Sequence, residues 1–193
     1  MPPKVRITRD MILDAAFDLV RAEGHEALNV RTLAKRLGCS TQPILYNFAA
    51  VEELKDAVYQ RADEFHTAYI LPKGGEGADA LLELGLNYVR FGHEEKHLFR
   101  FLFESDRFGG MDFKGLLRWP GSDELVAILA EALGCPAAEA EKLFMTFFAV
   151  AHGLASLLCN NAMEYDETEC AAMLETVFNG ALAALTSKGE EYA

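Results

Sequence analysis

Positive charge is what this 193-residue chain has least of: 18 Lys and Arg stand against 30 Asp and Glu, a net charge of −12. Such a balance excludes a protein that wraps its whole surface in nucleic acid, because phosphate contacts supply most of that affinity and require cations. Cysteine is sparse as well. Cys39, Cys135, Cys159 and Cys170 have no CxxC or other metal spacing, which argues against a zinc module and fits a reducing, cytoplasmic compartment. No signal peptide is visible, and no apolar run reaches the roughly 18 residues of a membrane helix. Strand-type alternation and internal repeats are missing too, so the expected fold class is all-α. The chain is 51% hydrophobic, enough for a substantial core. It is expected to be a soluble protein that makes no use of a membrane, a metal or a cofactor.

The charge is unevenly spread. Residues 1–48 carry Lys4, Arg6, Arg9, Arg21, Arg31, Lys35 and Arg36 against Asp10, Asp14, Asp18, Glu23 and Glu26, a net of +2, so all the acidity lies in the rest of the chain. A weakly basic head on an acidic body suits a protein that touches DNA with one end only. Lys4 and Arg6 lie in a short arm, Met1 to Ile7, from which they can reach a phosphate backbone.

Within the head, Thr8 is a good N-cap for a helix carrying Ile12, Ala16, Leu19 and Val20 on one face and stopped by Gly24. After Asn29, a second candidate cap, Val30, Leu33, Ala34 and Leu37 repeat at helical spacing, and Gly38 closes that helix. Ser40 is expected to cap a third helix with Pro43 in its first turn. Two helices joined by a short glycine-containing turn form a helix-turn-helix, whose second member enters the DNA major groove. On that reading Thr41 and Gln42 reach base edges, Pro43 adds an apolar contact, and Tyr46 and Asn47 reach a base or a phosphate. Arg31, Thr32 and Ser40 are phosphate candidates. Ile44, Leu45 and Phe48 are assigned to the core of the head.

The stretch RITRDMILDAAFDLVRAEGHEALNVRTLAKRLGCSTQPILYNFAAVEELKDAVY resembles the DNA-binding region of the TetR family of bacterial transcriptional regulators. Its elements occur in the family's order: a first helix ending in Gly24, the VRTLAKRLG helix, a turn, the recognition helix, Phe48, and EEL opening a long fourth helix. Two positions depart from the usual pattern. Leu45 stands where a tyrosine is common, with Tyr46 one residue later, and Val51 stands where a phosphate-holding lysine is common, so Lys55 is the candidate substitute. The resemblance implies a DNA-binding domain over 1–50 and a ligand-binding and dimerisation body over 51–193, about nine helices in all. It also implies a non-enzymatic repressor that binds a palindromic double-stranded operator as a homodimer and is released by a small-molecule effector.

Beyond the head, helices are expected from Glu52 to about Ile70, over Ala80 to Phe91 with Gly92 as the stop, over Glu94 to Glu104, and after Ser122. The last two run from Ala137 to Asn161 and from Asp166 to about Leu185. The apolar segment with Met111, Phe113, Leu116, Leu117 and Trp119 is expected to fold back over the body. In the last two helices apolar residues cover more than one core face, and Thr146, Ala149, Gly153, Ser156 and Asn160, with Ala172, Thr176, Asn179 and Ala183, make stripes of small residues. A helix buried on two sides needs two partners, and the second would be another copy of the chain. Tyr88, Phe99, Phe103, Trp119, Phe147, Phe148 and His152 are the candidate residues for an apolar or aromatic effector.

Two other classes compete. His93-Glu94-Glu95-Lys96-His97 matches the HExxH signature of zinc proteases, which requires both histidines on one face of one helix. The chain would otherwise be a helical dimer whose head no longer binds DNA.

Overall fold

The computed structural model describes residues 7–74, 77–105, 115 and 122–190, with no side-chain description for Ala78 or for residues 185–190. Among them are nine α-helices and no strand: α1 (Arg9–Glu23), α2 (Val30–Arg36), α3 (Gln42–Asn47), α4 (Val51–Ile70), α5 (Gly77–Glu94), α6 (Lys96–Phe103), α7 (Ser122–Leu133), α8 (Ala137–Asn160) and α9 (Glu167–Glu190). The all-α fold class is therefore as expected. The basic arm through Arg6 and the apolar segment that includes Trp119 lie outside the described residues.

Packing divides the chain into two compact units. One is built from the described residues up to Ala68 together with Glu95–Ser105, the other from Tyr69–Glu94 and the described residues after Ser105. This grouping differs from a division at residue 50, since most of α4 and all of α6 pack with the head.

In the first unit, Thr8 caps α1 by accepting from the Met11 amide. Ile12, Ala16, Leu19 and Val20 are buried with Leu33, Ile44, Phe48 and Leu54, one residue or more from each of the first four helices. Helix α6 completes the unit against α1: Glu95 takes a bidentate contact from Arg21, and the His97 ring lies 3.2 Å from where a Cβ on Gly24 would stand. His66 of α4 is buried beside Phe103, their rings 5.0 Å apart. Burial pushes the His66 imidazole down to about 4 from 6.5. Because the unfolded chain takes up a proton near pH 6.5 that the folded chain refuses until about pH 4, stability falls as pH drops through that window. The expected loss between pH 7 and pH 4 from this group is about 3 kcal/mol. Urea midpoints measured across that range would follow it, and His66→Gln should flatten the dependence.

In the second unit, α8 packs on α5, α7 and α9, and α5 also meets α9. Gly92 was expected to stop a helix, yet α5 runs through it to Glu94. The reason is close approach: a Cβ at Gly92 would stand 2.7 Å from the Ala155 Cβ and 3.0 Å from the Ala155 backbone, and one at Gly85 would stand 2.5 Å from the Phe147 ring. These glycines are contact points on α8. The break falls instead at Glu95, whose φ of −111° and ψ of 48° leave the helical region. Asp166 caps α9, accepting from Thr168 and Glu169 amides, and α9 continues past Leu185 to Glu190.

Helix α8 also corrects the expectation about apolar runs. Its most apolar 18-residue window has a mean hydropathy of 1.6, long and apolar enough to cross a membrane by length and composition, yet only 39% of that window is buried inside the chain. Leu157 on α8 and Met173 on α9 are each 50% exposed.

Candidate nucleic-acid interface

Helices α2 and α3 are joined by a turn that the sequence specifies residue by residue. Asn29 Oδ1 accepts from the amides of Arg31 and Thr32 at 3.1 and 3.0 Å and so starts α2. At the other end Gly38 takes φ 62°, its amide donating to Lys35 and the Cys39 amide to Ala34 at 2.9 Å. That pair of bonds is a Schellman closure, and it needs glycine because side chains crowd the left-handed region. The chain re-enters helix at Gln42 with Pro in the first turn, but the cap position is Thr41, in helical conformation and with no side-chain bond. Ser40 therefore does not cap α3 as expected; it and Thr41 are exposed.

The short α3 has two faces. Ile44 and Phe48, one turn apart, are 1% and 2% exposed and point into the head. The opposite face carries Gln42, exposed, then Leu45 and Tyr46 at 52% and 86% exposure. Leu45 is thus an outward residue and not part of the core. The spacing alone held the signal, since i+3 and i+4 from Gln42 share its face while Ile44 and Phe48 do not.

Asn47 is half-buried and makes contacts at the end of α3. Its Nδ2 donates to the Pro43 carbonyl at 2.7 Å, and its own carbonyl accepts from Arg9 at 2.6 Å. Arg9 also pairs with Glu53 at 3.0 Å and lies 4.0 Å over the Phe48 ring. Glu53 in turn accepts from the Ala49 amide, and these contacts, the backbone bond first, hold its carboxyl below the usual range. Together they lock the end of α3 to the start of α4.

The described cations of this unit differ in whether they lie in ion pairs. Arg9 is held by Glu53, Arg21 by Glu95, Arg36 by Glu23 and Arg61 by Asp14. Arg31, Lys35 and Lys55 have no ion pair among the described residues, and Arg31 and Lys35 are exposed. Lys35 stands beyond the phosphate candidates read from the sequence. Thr32 and Lys55 are half-buried, as is Pro43.

The candidate effector residues are only partly brought together. Tyr88 Oη and His152 Nδ1 stand 2.9 Å apart, and the Phe148 ring meets Tyr88 edge-on at 5.5 Å. Phe147 turns elsewhere, against Gly85 and the Phe178 ring. Phe99 and Phe103 belong to the first unit, and Trp119 lies outside the described residues. A cavity of about 180 Å³ opens between α5 and α9, lined by Leu82, Glu83, Leu86, Ala171, Leu174 and Glu175, none of them among the candidates. The HExxH signature loses its geometry: His93 ends α5 and stacks on Tyr165 at 4.9 Å, whereas His97 lies in α6 beside Gly24. Two histidines on separate helices cannot share a helix face.

Residues 81–180 match the family described as "Tetracyclin repressor-like, C-terminal domain". Over 77 residues the chain is 30% identical to the tetracycline repressor protein class D of Escherichia coli, and equally to the class H protein of Photobacterium damsela subsp. piscicida. The match covers 40% of this chain and 35% of each repressor, so it spans about a third of their length. A TetR-like transcriptional regulator from Rhodococcus sp. RHA1 superposes with a TM-score of 0.65 at 18% identity, covering 95% of this chain and 98% of that one. A second Rhodococcus sp. structure, assigned to the same family, gives 0.61 at 20% identity over 90% and 98%. At these identities the likeness carries the fold.

Proposed function

This chain belongs to the TetR family of transcriptional regulators, and from that premise we propose that it is a cytoplasmic repressor, binding a palindromic operator as a homodimer and released by a small-molecule effector. The observation that carries the reading is the outer face of α3, with Gln42, Leu45 and Tyr46 exposed beside the unpaired Arg31 and Lys35 of α2. In a helix-turn-helix the second helix reads bases while the first crosses the backbone. Gln42 and Thr41 are the hydrogen-bonding readers. Arg31, Lys35 and Lys55 hold phosphates, with Thr32 and Ser40 contributing hydroxyls.

Gln42→Ala is expected to relax sequence preference at one position by about 1–3 kcal/mol, the worth of a bidentate pair. Arg31→Ala should weaken specific and random DNA alike. Fluorescence anisotropy with a selected operator and a scrambled duplex separates the two, and equal losses on both duplexes for both variants would sink the assignment.

The dimer is proposed through α8 and α9. Of the small-residue stripes, Thr146, Ala149, Gly153 and Asn160 on α8 and Ala172, Thr176, Asn179 and Ala183 on α9 are exposed, and Ser156 is half-buried. A Cβ at Gly153 or Gly180 would meet nothing within 4 Å. Thr146 and Thr176 donate back to carbonyls one turn earlier, Lys142 and Ala172, so no unsatisfied hydroxyl obstructs close helix packing. The effector reading rests on Tyr88, Phe148 and His152, an aromatic cluster with one polar pair. Such a ligand must bind the DNA-incompetent arrangement better than the competent one, since equal affinity shifts nothing.

A further inference from the structure

Helix α3 carries no acidic residue in its first turn and no basic residue in its last, and over its whole length, Gln42–Asn47, it has no charged side chain at all. Guanine in the major groove is read chiefly by Arg or Lys reaching O6 and N7, and cytosine by a carboxylate accepting from N4. Neither reader is present on this helix. Its outer face offers one amide, on Gln42, which matches the N6 donor and N7 acceptor of adenine. Beside it stand the large apolar surfaces of Leu45 and Tyr46, 52% and 86% exposed. In the groove the one exposed feature of a base pair that rewards apolar contact is the 5-methyl group of thymine.

We infer that α3 reads A·T pairs, with Leu45 acting as a specificity residue that covers a thymine methyl next to the adenine held by Gln42. This rests on the operator-binding reading above and names the class of operator. Leu45 suits the role sterically. It shares a face with Gln42 one turn away, while Ile44 and Phe48 anchor the opposite side of the helix in the core. An isoleucine or leucine buried in the head would hold the fold; an exposed one, on the face that meets the groove, has its apolar area free for the ligand.

The test is selection from a random duplex library with the full-length protein, followed by affinity measurement on the selected duplex. Each thymine of the half-site is replaced in turn by deoxyuridine, which removes only the methyl group. Wild type is expected to lose roughly fourfold at one thymine per half-site, the worth of one buried CH₂. Leu45→Ala should bind the thymine and deoxyuridine duplexes equally while its melting temperature is unchanged. Guanine or cytosine at every selected position of the half-site centre, no deoxyuridine effect on wild type, or an undiminished effect in Leu45→Ala would each overturn the inference while leaving operator binding intact. Selection that enriches no sequence over random DNA would overturn operator binding itself, and this inference with it.

Discussion

Gly153→Arg is expected to give a folded monomer whose operator affinity is lower by about 10²–10⁴-fold, the range by which linking two binding modules raises avidity. Gly153 sits in the middle of α8, is exposed, and a Cβ there would meet nothing within 4 Å. Replacing glycine in a helix interior should, if anything, favour the helix by up to about 1 kcal/mol. With the Cβ position clear, the main expected penalty lies at the proposed interface, where two arginines would be brought together and stripped of water between closely packed helices. With Arg31, Lys35 and Lys55 as the unpaired cations of the described head, a single head neutralises few phosphates and its binding is weak. Size-exclusion chromatography with light scattering, alongside anisotropy on the operator, checks both halves. A dimer that persists at micromolar concentration would remove α8 from the interface.

Gly92→Ala should destabilise the protein by about 2 kcal/mol or more, although alanine is the better helix former by close to 1 kcal/mol. The added Cβ would stand 2.7 Å from the Ala155 Cβ and 3.0 Å from its Cα and carbonyl oxygen. Two of those three atoms are backbone, so no rotamer change relieves the clash, and α5 must move away from α8 along a contact where both are buried. The urea midpoint at fixed protomer concentration reads the loss, because a dimer's apparent stability depends on concentration. Adding Ala155→Gly removes the nearest atom and should recover part of it. An unchanged midpoint in Gly92→Ala would show that α5 and α8 do not approach this closely.

Capping was legible: Thr8, Asn29, Gly38 and Asp166 act as their local chemistry dictates, because a cap is settled within a few residues of chain. The buried stripe of α1 was legible from its spacing for the same reason. Gly92 was not. A glycine between two apolar helical runs reads as a stop, and what it does here depends on Ala155, a residue 63 positions away that periodicity cannot supply. Gly24 and Gly38 end helices at positive φ; Gly92, absent from the positive-φ glycines, continues one.

The candidate site divides in the same way. That α2 and α3 make a helix-turn-helix, and that Gln42 faces outward, followed from sequence. Leu45 reads as core from its hydrophobicity, although its helical spacing from Gln42 already puts it on the outer face opposite Ile44 and Phe48. The bond between Arg9 and the Asn47 carbonyl joins residues 38 positions apart and has no local signal.

By itself the sequence determined the helices of the head, the helix-turn-helix and the uneven charge, because these rest on short-range periodicity, caps and counting. Only the tertiary structure decided which of the head's described cations lie in ion pairs, that α6 packs with the head, and that the HExxH histidines lie on separate helices. Each of those turns on a partner distant in sequence: Glu53 for Arg9, Glu95 for Arg21, Tyr165 for His93. A local pattern can say that a side chain is charged or apolar, but what satisfies it is set by the path of the whole chain.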